Sequence, residues 1–588
     1  MRLQPLHQPF RAGRLDIMNL QLAYLGRSAI QQTPLGLAVS LAPNLRRDRV
    51  GFSGTLWQPL RFREAVSALH DIVVSDLRYR PKDRSAYQAF LAEQQERENA
   101  LRRGARQAAR AELFSRQPEP MPPGLEKRFK QLRETYWNAR LKYSDYLSRH
   151  DPELWRMLVP CDPVITVAPD VLFFECFSKD ESSYGCLTVE RNAFRAEEKV
   201  ALGTTNVDYS WTLYEEFQKL RSYRSTRFVI DPAGFEVQTV QQANYREEKI
   251  DLPSSWLRGF LQLQTAMSLP MRRVPVSREG LYNVLAWLKR RRAARSPRAV
   301  RFELEPGEPV VLVLEPWERR IVLHGTPYAG ARETIRVWGR DRLRVLARLL
   351  PMAEGAEVYL LGTGLPSFWS VKLGEMRLLL GLSGWTANDW TGAGALDQLA
   401  PPAEPSANLL GDVAAVFKDG PALTFGQIQQ RSGAAPPYVA AALNRLALMG
   451  QLIHDLPAGL YRWRQILPAP VAATQLGPDN PETEAARELT QRVRIQRDER
   501  TPSGLRLLVG LAPEKPVEVL LDGDGRIVRG KCNCSHHFKN GLRKGPCRHL
   551  QAVRNAALRR ATKESSTRQP STLERWFQQL WQELKDLH

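Results

Sequence analysis

Residues 531–550 read KCNCSHHFKNGLRKGPCRHL. Cys532 and Cys534 form a C-x-C pair, and Cys547 and His549 form a C-x-H pair after a gap of twelve residues. Three thiols and one imidazole in two local pairs are the donors of a closed tetrahedral zinc site. Because the protein fills all four positions, none remains for a water molecule. The spacing therefore predicts a structural Zn²⁺ and not a hydrolytic one.

Two other histidines compete for the fourth position. His536 and His537 lie inside the gap, and either can replace His549 if the gap folds differently. A C-x-H pair at the start of a helix places both donors on one rigid element, which favours His549.

The residues around the cysteines predict how the site is built. The run 517–521 is apolar and β-branched, Asp522-Gly523-Asp524-Gly525 is a tight-turn signal, and 526–530 continues as a second strand. After Pro546, residues 547–562 are typical of a helix, with an inward face formed by Leu550, Val553 and Leu558. The sequence therefore predicts a hairpin, a metal loop and a helix.

This arrangement resembles the SWIM zinc finger, in which C-x-C is followed by a variable gap and C-x-H. All four ligand positions match. The resemblance implies a hairpin that carries the first pair, a helix that carries the second, and binding of DNA or other proteins. The motif covers about the last tenth of the chain. The segments 202–210 (LGTTNVDYS) and 381–390 (GLSGWTANDW) look like the long N-terminal portion of stand-alone bacterial SWIM zinc finger proteins.

Positive charge is concentrated around the predicted metal site. The whole chain has a net charge of +21, and the segment 526–563 contains eleven Lys or Arg and no Asp or Glu. Such a field attracts polyanions, so nucleic acid is the expected partner, DNA before RNA. The candidate phosphate contacts are Arg529, Lys531, Lys539, Arg543, Lys544, Arg548, Arg554, Arg559 and Arg560.

Composition narrows the class of protein. The chain has 588 residues with 43% hydrophobic content, which suits several folded domains. It has no apolar run of eighteen residues and no apolar N-terminal segment, so neither membrane insertion nor export is expected. Its six cysteines suit a reducing cytoplasm. Cys176 and Cys186 are expected to be buried thiols, with a redox pair as the alternative.

The chain is predicted to be a multidomain α+β protein with a β-rich N-terminal part and an inserted helical hairpin. The expected regions are a mixed N-terminal region (1–82), a helical hairpin or coiled-coil arm (83–158), an α+β region (159–400), a winged-helix-like domain (409–466), the zinc module (485–563) and an amphipathic C-terminal helix (571–588).

Three of these regions leave alternatives open. The arm can bind a partner or pack on its own domain, and the same holds for the C-terminal helix, which presents Trp576, Phe577 and Trp581 on one face. The second helix of the winged-helix-like pair carries only Asn444 and Arg445 as long or polar residues, so a structural or protein-contact role is favoured over base reading.

Three functions follow from these patterns. The first is a nucleic-acid-binding protein built on the zinc module. The second is an adaptor; the resemblance implies a MoxR-type ATPase or a von Willebrand A-type protein as its partner. The third is a nuclease that holds Mg²⁺ with scattered carboxylates. No nucleotide-binding or hydrolase motif is present, so an enzyme is not expected. The carboxylates considered are Asp170, Glu175, Asp180, Glu181 and Glu190.

Overall fold

The computed structural model describes five ranges, with internal gaps of one to four residues, and several single positions: residues 20–74, 163–230, 246–384, 396–466 and 481–567, Trp390, and six positions between 124 and 146. The chain divides into two compact units, one formed by 1–73 with 161–588 and the other by 74–160. The strands and helices below lie in the first unit, apart from the last residue of the first helix.

The larger part of this unit, here called the body, is rich in strands. Its strands are β1 (Leu20–Leu25), β2 (Ala29–Thr33), β3 (Gly36–Leu41), β4 (Gly51–Leu56), β5 (Val164–Val167), β6 (Val171–Phe177), β7 (Ser183–Glu190), β8 (Phe194–Ala201), β9 (Gly203–Asn206), β10 (Thr226–Ile230), β11 (Arg246–Leu252), β12 (Arg272–Val276), β13 (Val300–Leu304), β14 (Val311–Leu314), β15 (Arg319–Val322), β16 (Glu333–Val337), β17 (Gly355–Leu360), β18 (Ser367–Leu373) and β19 (Met376–Leu382). Its helices are α1 (Pro59–Val74), α2 (Trp211–Phe217), α3 (Ser254–Met267) and α4 (Arg278–Arg290), with 3₁₀ segments at Arg191–Ala193 and Arg340–Leu349.

The body strands form four sheets. The largest has eight strands in the order β12-β17-β18-β19-β7-β6-β5-β9, and the others follow the orders β2-β3-β10-β4-β8, β15-β14-β13-β16 and β1-β11. Every position of β6 is buried, which is typical of a strand covered on both faces. Helix α1 covers one of these faces, where the ring of Phe62 lies 5.8 Å from that of Phe174.

A smaller region with its own core follows the body. It contains α5 (Ala407–Val416), β20 (Ala422–Leu423), α6 (Phe425–Ser432), α7 (Pro436–Leu448), β21 (Leu452–Asp455) and β22 (Leu460–Trp463). The strands pair in the order β20-β22-β21. A capping box between Thr424 and Gln427 starts α6, and Val413, Ile428 and Leu443 are fully buried in the core. The region therefore contains three helices and a hairpin.

The last described region, here called the metal module, is an antiparallel sheet covered by one helix. It contains α8 (Pro481–Thr490), β23 (Arg494–Arg500), β24 (Arg506–Ala512), β25 (Lys515–Leu521), β26 (Ile527–Cys532), α9 (Ser535–Asn540) and α10 (Arg548–Thr567). The predicted hairpin is β25 with β26, and the predicted helix is α10. Two further strands, β23 and β24, extend the hairpin to a meander of four strands.

The expectation of a mixed, β-rich α+β protein is confirmed. Of the helices that the structure describes, none is both long enough and apolar enough to span a bilayer. Cys176 and Cys186 are buried, as expected of structural thiols. The predicted C-terminal helix (571–588) lies outside the described residues. So does the predicted arm (83–158), apart from six single positions, and its role as a partner site stays a prediction.

Candidate metal centre

The four predicted ligands meet at one point of the metal module. Cys532 is the last residue of β26, Cys534 caps the start of α9, and Cys547 and His549 flank the first residue of α10. One donor atom from each lies within 4.8 Å of all the others. A tetrahedron with metal–sulfur bonds of about 2.3 Å has edges of about 3.8 Å, so this spacing is compatible with one metal ion.

The donors are withdrawn from solvent by the module's own core. Cys532 and Cys534 are each 7% exposed and Cys547 is fully buried, among the side chains of Val517, Val519 and Leu550. A Cβ atom at Gly530 would lie 2.5 Å from a methyl group of Leu550. The glycine therefore lets α10 approach β26 closely enough for the C-x-H pair to reach the C-x-C pair.

Backbone groups support the sulfur ligands. The His537 N–H donates to Cys534 Sγ at 3.3 Å, and the Phe538 N–H donates to the Cys534 carbonyl at 2.9 Å. On the helix side, the Gln551 N–H donates to the Cys547 carbonyl at 3.1 Å. The donation to Sγ stabilises the thiolate of Cys534, and the two bonds to carbonyl oxygens fix the backbone of Cys534 and Cys547.

The ionisation of the thiols also suits a cation. Hydrogen bonding with Cys547 lowers the pKa of the Cys532 thiol to about 4, and burial opposes that shift. The same hydrogen bond, together with burial, raises the pKa of Cys547. Because metals bind thiolates, a divalent cation would have to displace the proton of Cys547, whereas Cys532 is the more acidic of the two thiols.

The position of the imidazole settles which histidine joins the cysteines. His549 is the histidine within 4.8 Å of the three sulfurs, whereas His536 and His537 lie on α9 and are not in this group. The Nδ1 atoms of all three histidines are buried without a hydrogen-bond partner among the described atoms, so it is the distance to the sulfurs that distinguishes His549. The residues present thus fit a single metal ion.

Several of the predicted phosphate contacts are engaged within the protein. Lys531 pairs with Glu518 at 3.0 Å, and Arg548 pairs with Glu482 of α8 at 2.6 Å. Arg543 donates to the carbonyl oxygens of Lys539 and Asn540. The two carboxylates offset the charges of Lys531 and Arg548, which reduces the charge that the surface offers to phosphates.

Arg554 does not lie on the exposed surface that the sequence suggested. Its side chain is 8% exposed, and burial lowers its pKa to about 10. It donates to the side-chain oxygen of Asn555 at 3.1 Å. The expectation that Arg554 extends a phosphate track along α10 is therefore wrong, because Arg554, in the second turn of this helix, is directed inward.

The remaining cations are exposed. Lys539 and Lys544 lie on the metal loop (residues 533–546), Arg529 lies on β26, and no carboxylate pairs with these three cations among the residues that the structure describes. Arg559 and Arg560 are exposed further along α10. Next to Lys539, the ring of Phe538 is 87% exposed. The metal loop therefore presents free positive charge and one aromatic ring on a rigid base.

Arg548 forms an ion pair with Glu482 that the sequence pattern does not predict. Both the backbone N–H and the guanidinium of Arg548 donate to its carboxylate, at 2.8 and 2.6 Å. Glu482 opens α8 with Glu484 in the same turn, and acidic residues are common at a helix start. The composition of this turn indicates a helix, but it does not indicate a partner 66 residues away.

The helix that would read bases in a winged helix-turn-helix is covered here. Asn444 of α7 donates to the hydroxyl oxygen of Ser268 at 2.6 Å, beside the C-terminal end of α3. Next to it, Gln264 donates to the carbonyl of Leu452 at 2.8 Å, and His454 Nδ1 lies 2.8 Å from the Met267 carbonyl. The contacts of α7 with α3 therefore favour the structural role over base reading.

The scattered carboxylates of the body do not form a metal site. In the described part of the chain, the Cys₃His set is the one group of three or more potential ligands that converges. Each of four carboxylates pairs with a separate arginine: Asp170 with Arg462 at 2.6 Å, Glu175 with Arg464 at 2.7 Å, Asp180 with Arg342 at 3.4 Å and Glu190 with Arg377 at 3.9 Å.

Comparisons with known proteins add little to this description. No family model matches the chain, and no curated protein matches it. Similar solved structures include proliferating cellular nuclear antigen from Entamoeba histolytica, with 10% identity and a TM-score of 0.26 over 38% of this chain and 89% of that one. The A. fulgidus PCNA bound to a C-terminal region of FEN-1 gives 13% and 0.27 over 39% and 91%. The Sulfolobus tokodaii PCNA2–PCNA3 complex gives 8% and 0.27 over 38% and 89%. Likeness at these TM-scores implies no function.

Proposed function

We propose that this chain is a stand-alone bacterial SWIM zinc finger protein whose metal module binds nucleic acid through its phosphates. The convergence of Cys532, Cys534, Cys547 and His549 within 4.8 Å supports the zinc part of the proposal. Three thiolates and one imidazole in a closed site suit Zn²⁺ better than Mg²⁺ or Ca²⁺, which prefer oxygen ligands.

The metal has a structural role in this proposal. Zinc joins the end of β26 to the start of α10, and its binding free energy becomes folding free energy of the module. The chain's own residues then supply the binding surface. Cys534 anchors α9 at its first turn, so the exposed groups of the loop are held in fixed positions.

The exposed cations carry the nucleic-acid part of the proposal. Arg529, Lys539 and Lys544 are exposed without a carboxylate partner in the described structure, and Arg559 and Arg560 add two charges on α10. The metal module as a whole (481–567) has 18 Lys or Arg and 10 Asp or Glu, so its charge is less one-sided than the segment 526–563 suggests. Phosphate contacts from these five side chains give affinity without sequence preference.

A salt titration tests this proposal quantitatively. Three to five phosphate contacts predict a slope of about −3 to −5 in a plot of log affinity against log salt concentration for duplex DNA. Affinity should therefore fall by about 60- to 1,000-fold between about 50 and 200 mM salt. An affinity that stays constant over this range contradicts the proposal.

Paired variants locate the contacts. The double substitution Lys539→Gln and Lys544→Gln should make the slope less steep by about 2, because two phosphate contacts are lost. The matched control is Lys418→Gln with Arg431→Gln, which removes the same charge from exposed positions of the smaller region that contains α5, α6 and α7. If the control changes the slope and the loop variant does not, nucleic acid binds at α6 and its neighbours and the proposal is wrong.

A further inference from the structure

Phe538 is the most exposed large hydrophobic side chain in the described part of the chain, with 87% of its surface accessible. A single exposed apolar residue needs no explanation by itself. Phe538 differs because it stands on the metal loop among exposed cations. Lys539 follows it directly, and Lys544 lies five residues further along the same loop.

Hydrogen bonds hold the backbone of the segment that carries the ring. The Phe538 N–H donates to the carbonyl of the ligand Cys534 at 2.9 Å, so the residue is fixed one helical turn from the metal site. At the other end of α9, the guanidinium of Arg543 donates to the carbonyls of Lys539 and Asn540 at 2.5 and 2.9 Å. Because the backbone is already held, it loses little conformational freedom when the residue forms a contact, which favours binding.

We infer that Phe538 stacks on an unpaired base and that the metal module consequently prefers single-stranded over duplex nucleic acid. This inference rests on the proposed function, since the phosphates of the same strand contact Lys539 and Lys544. An aromatic ring beside a positively charged track is the arrangement with which proteins bind single strands, because every base has a face that can stack. In a duplex, the faces of interior bases are already stacked on each other.

The charge around the ring favours this occupant over a protein groove. An apolar groove that receives a phenylalanine would have to place apolar or acidic residues against Lys539 and Lys544. A single strand supplies a negative charge with each nucleotide and a base face at every position. The positive charge and the ring are thus satisfied by one ligand.

The test compares two labelled probes, a 20-nucleotide oligothymidine and a 20-base-pair blunt duplex, by fluorescence anisotropy at fixed low salt. Phe538→Ala should weaken binding of the oligothymidine by about 5- to 100-fold and change duplex binding by less than about twofold. Phe538→Trp should retain the affinity for the single strand. Tyr223→Ala, which removes an aromatic ring that is 77% exposed on the body, should leave both affinities unchanged.

The possible outcomes distinguish a failure of base stacking from a failure of the proposed phosphate binding. If wild-type protein binds both probes with the expected salt dependence and Phe538→Ala changes neither or both equally, stacking is overturned and the phosphate-binding proposal stands. If wild-type protein binds neither probe, both fail. If Phe538→Ala leaves the probes unaffected but releases a co-purifying protein, the ring belongs to a protein interface and the inference is wrong.

Discussion

The side-chain amide of Asn444 donates to the hydroxyl oxygen of Ser268 at 2.6 Å, and to the carbonyl of Thr265 at 3.3 Å. Asn444 is 5% exposed, although it is one of only two long or polar residues on the middle of α7. These hydrogen bonds join α7 to α3 and to the residue that follows it, some 180 residues earlier in the chain. A helix held in this way cannot present Asn444 to a base edge.

Substitution of Asn444 should therefore affect stability and not nucleic-acid recognition. Asn444→Leu leaves the Ser268 hydroxyl oxygen without its donor, whereas the Thr265 carbonyl keeps the hydrogen bond from that hydroxyl at 2.8 Å. We expect the free energy of unfolding to fall by about 1–3 kcal/mol. Denaturant titration measures this change. Ser268→Ala removes the other half of the hydrogen bond and should cost about 1 kcal/mol. A variant Asn444→Leu that keeps full stability but loses duplex binding would restore the base-reading interpretation.

The metal ligands can be tested independently of any partner. Cys532→Ser and His549→Ala each remove one donor of the closed site, so the zinc content of reductively purified protein should fall well below one ion per chain. Hydrogen exchange should then increase across β25, β26 and α10, because binding free energy stabilises this module. Elemental analysis and exchange mass spectrometry provide the two measurements.

His537→Ala is the matched control for the ligand variants. His537 lies on α9 beside the site, outside the group of four. Its removal should leave zinc stoichiometry unchanged. Full zinc content in both ligand variants, or loss of zinc in His537→Ala, would show that the assignment of His549 is incorrect.

The local part of the site could be predicted from the sequence because its information is local. The spacing of Cys532, Cys534, Cys547 and His549 predicts the ligand set, with His536 and His537 as alternatives for the imidazole, and the turn at Asp522–Gly525 predicts the hairpin. Strand β23 was missed because its sequence, RIQRDER, is almost entirely exposed and gives no apolar alternation.

The long-range part could not be predicted in the same way. A count of charges along 526–563 leaves out Glu482, which is 66 residues from Arg548 in sequence. In the structure its carboxylate lies 2.6 Å from the guanidinium of Arg548. The helical pattern of α7 likewise does not predict that Ser268 accepts a hydrogen bond from Asn444. Both partners come from elements that the tertiary structure brings into contact. The unpaired charge of the loop and the covered face of α7 could therefore be recognised only in the folded structure.

The body contains a buried histidine with a predictable effect on acid stability. His70 of α1 lies 2.9 Å from the Tyr209 hydroxyl and stacks on Tyr214 at 3.7 Å between ring centroids. Burial, with smaller contributions from the charges of Lys179 and Arg348, lowers the pKa of His70 from 6.5 to about 4. Between these values the unfolded chain binds a proton that the folded chain does not, so the free energy of unfolding decreases as the pH falls from 6.5 to about 4.

His70→Phe should reduce this dependence. The substitution retains a ring against Tyr214 but has no titrating group, so its free energy of unfolding should decline less than that of wild-type protein over the same pH interval. Denaturant titrations at several pH values between about 4 and 7 provide the comparison. Parallel curves for wild type and variant would mean that His70 protonates equally in the folded and unfolded states.

The metal loop also contacts the body, through Leu542 and Arg543. Leu542 packs against both the core of the metal module and the core of the body. Arg543 crosses Gly364, where a Cβ atom would lie 2.8 Å from Arg543 Cδ. Gly364 has φ +74°, a left-handed conformation that favours glycine. The loop that carries the exposed charges is thus positioned by the body as well as by its own cysteine-containing turn.

Gly364→Ala should loosen this contact. The added methyl group displaces Arg543, so we expect faster hydrogen exchange at 541–545 and faster loss of zinc to a chelator, in addition to a backbone cost of about 1–2 kcal/mol. Gly307→Ala is the matched control, because Gly307 has φ +79° in the same body but no atom within 4 Å of a built Cβ. It should share the backbone cost and leave the loop unchanged. Equal exchange at 541–545 in the two variants would mean that the body does not hold the metal loop in place.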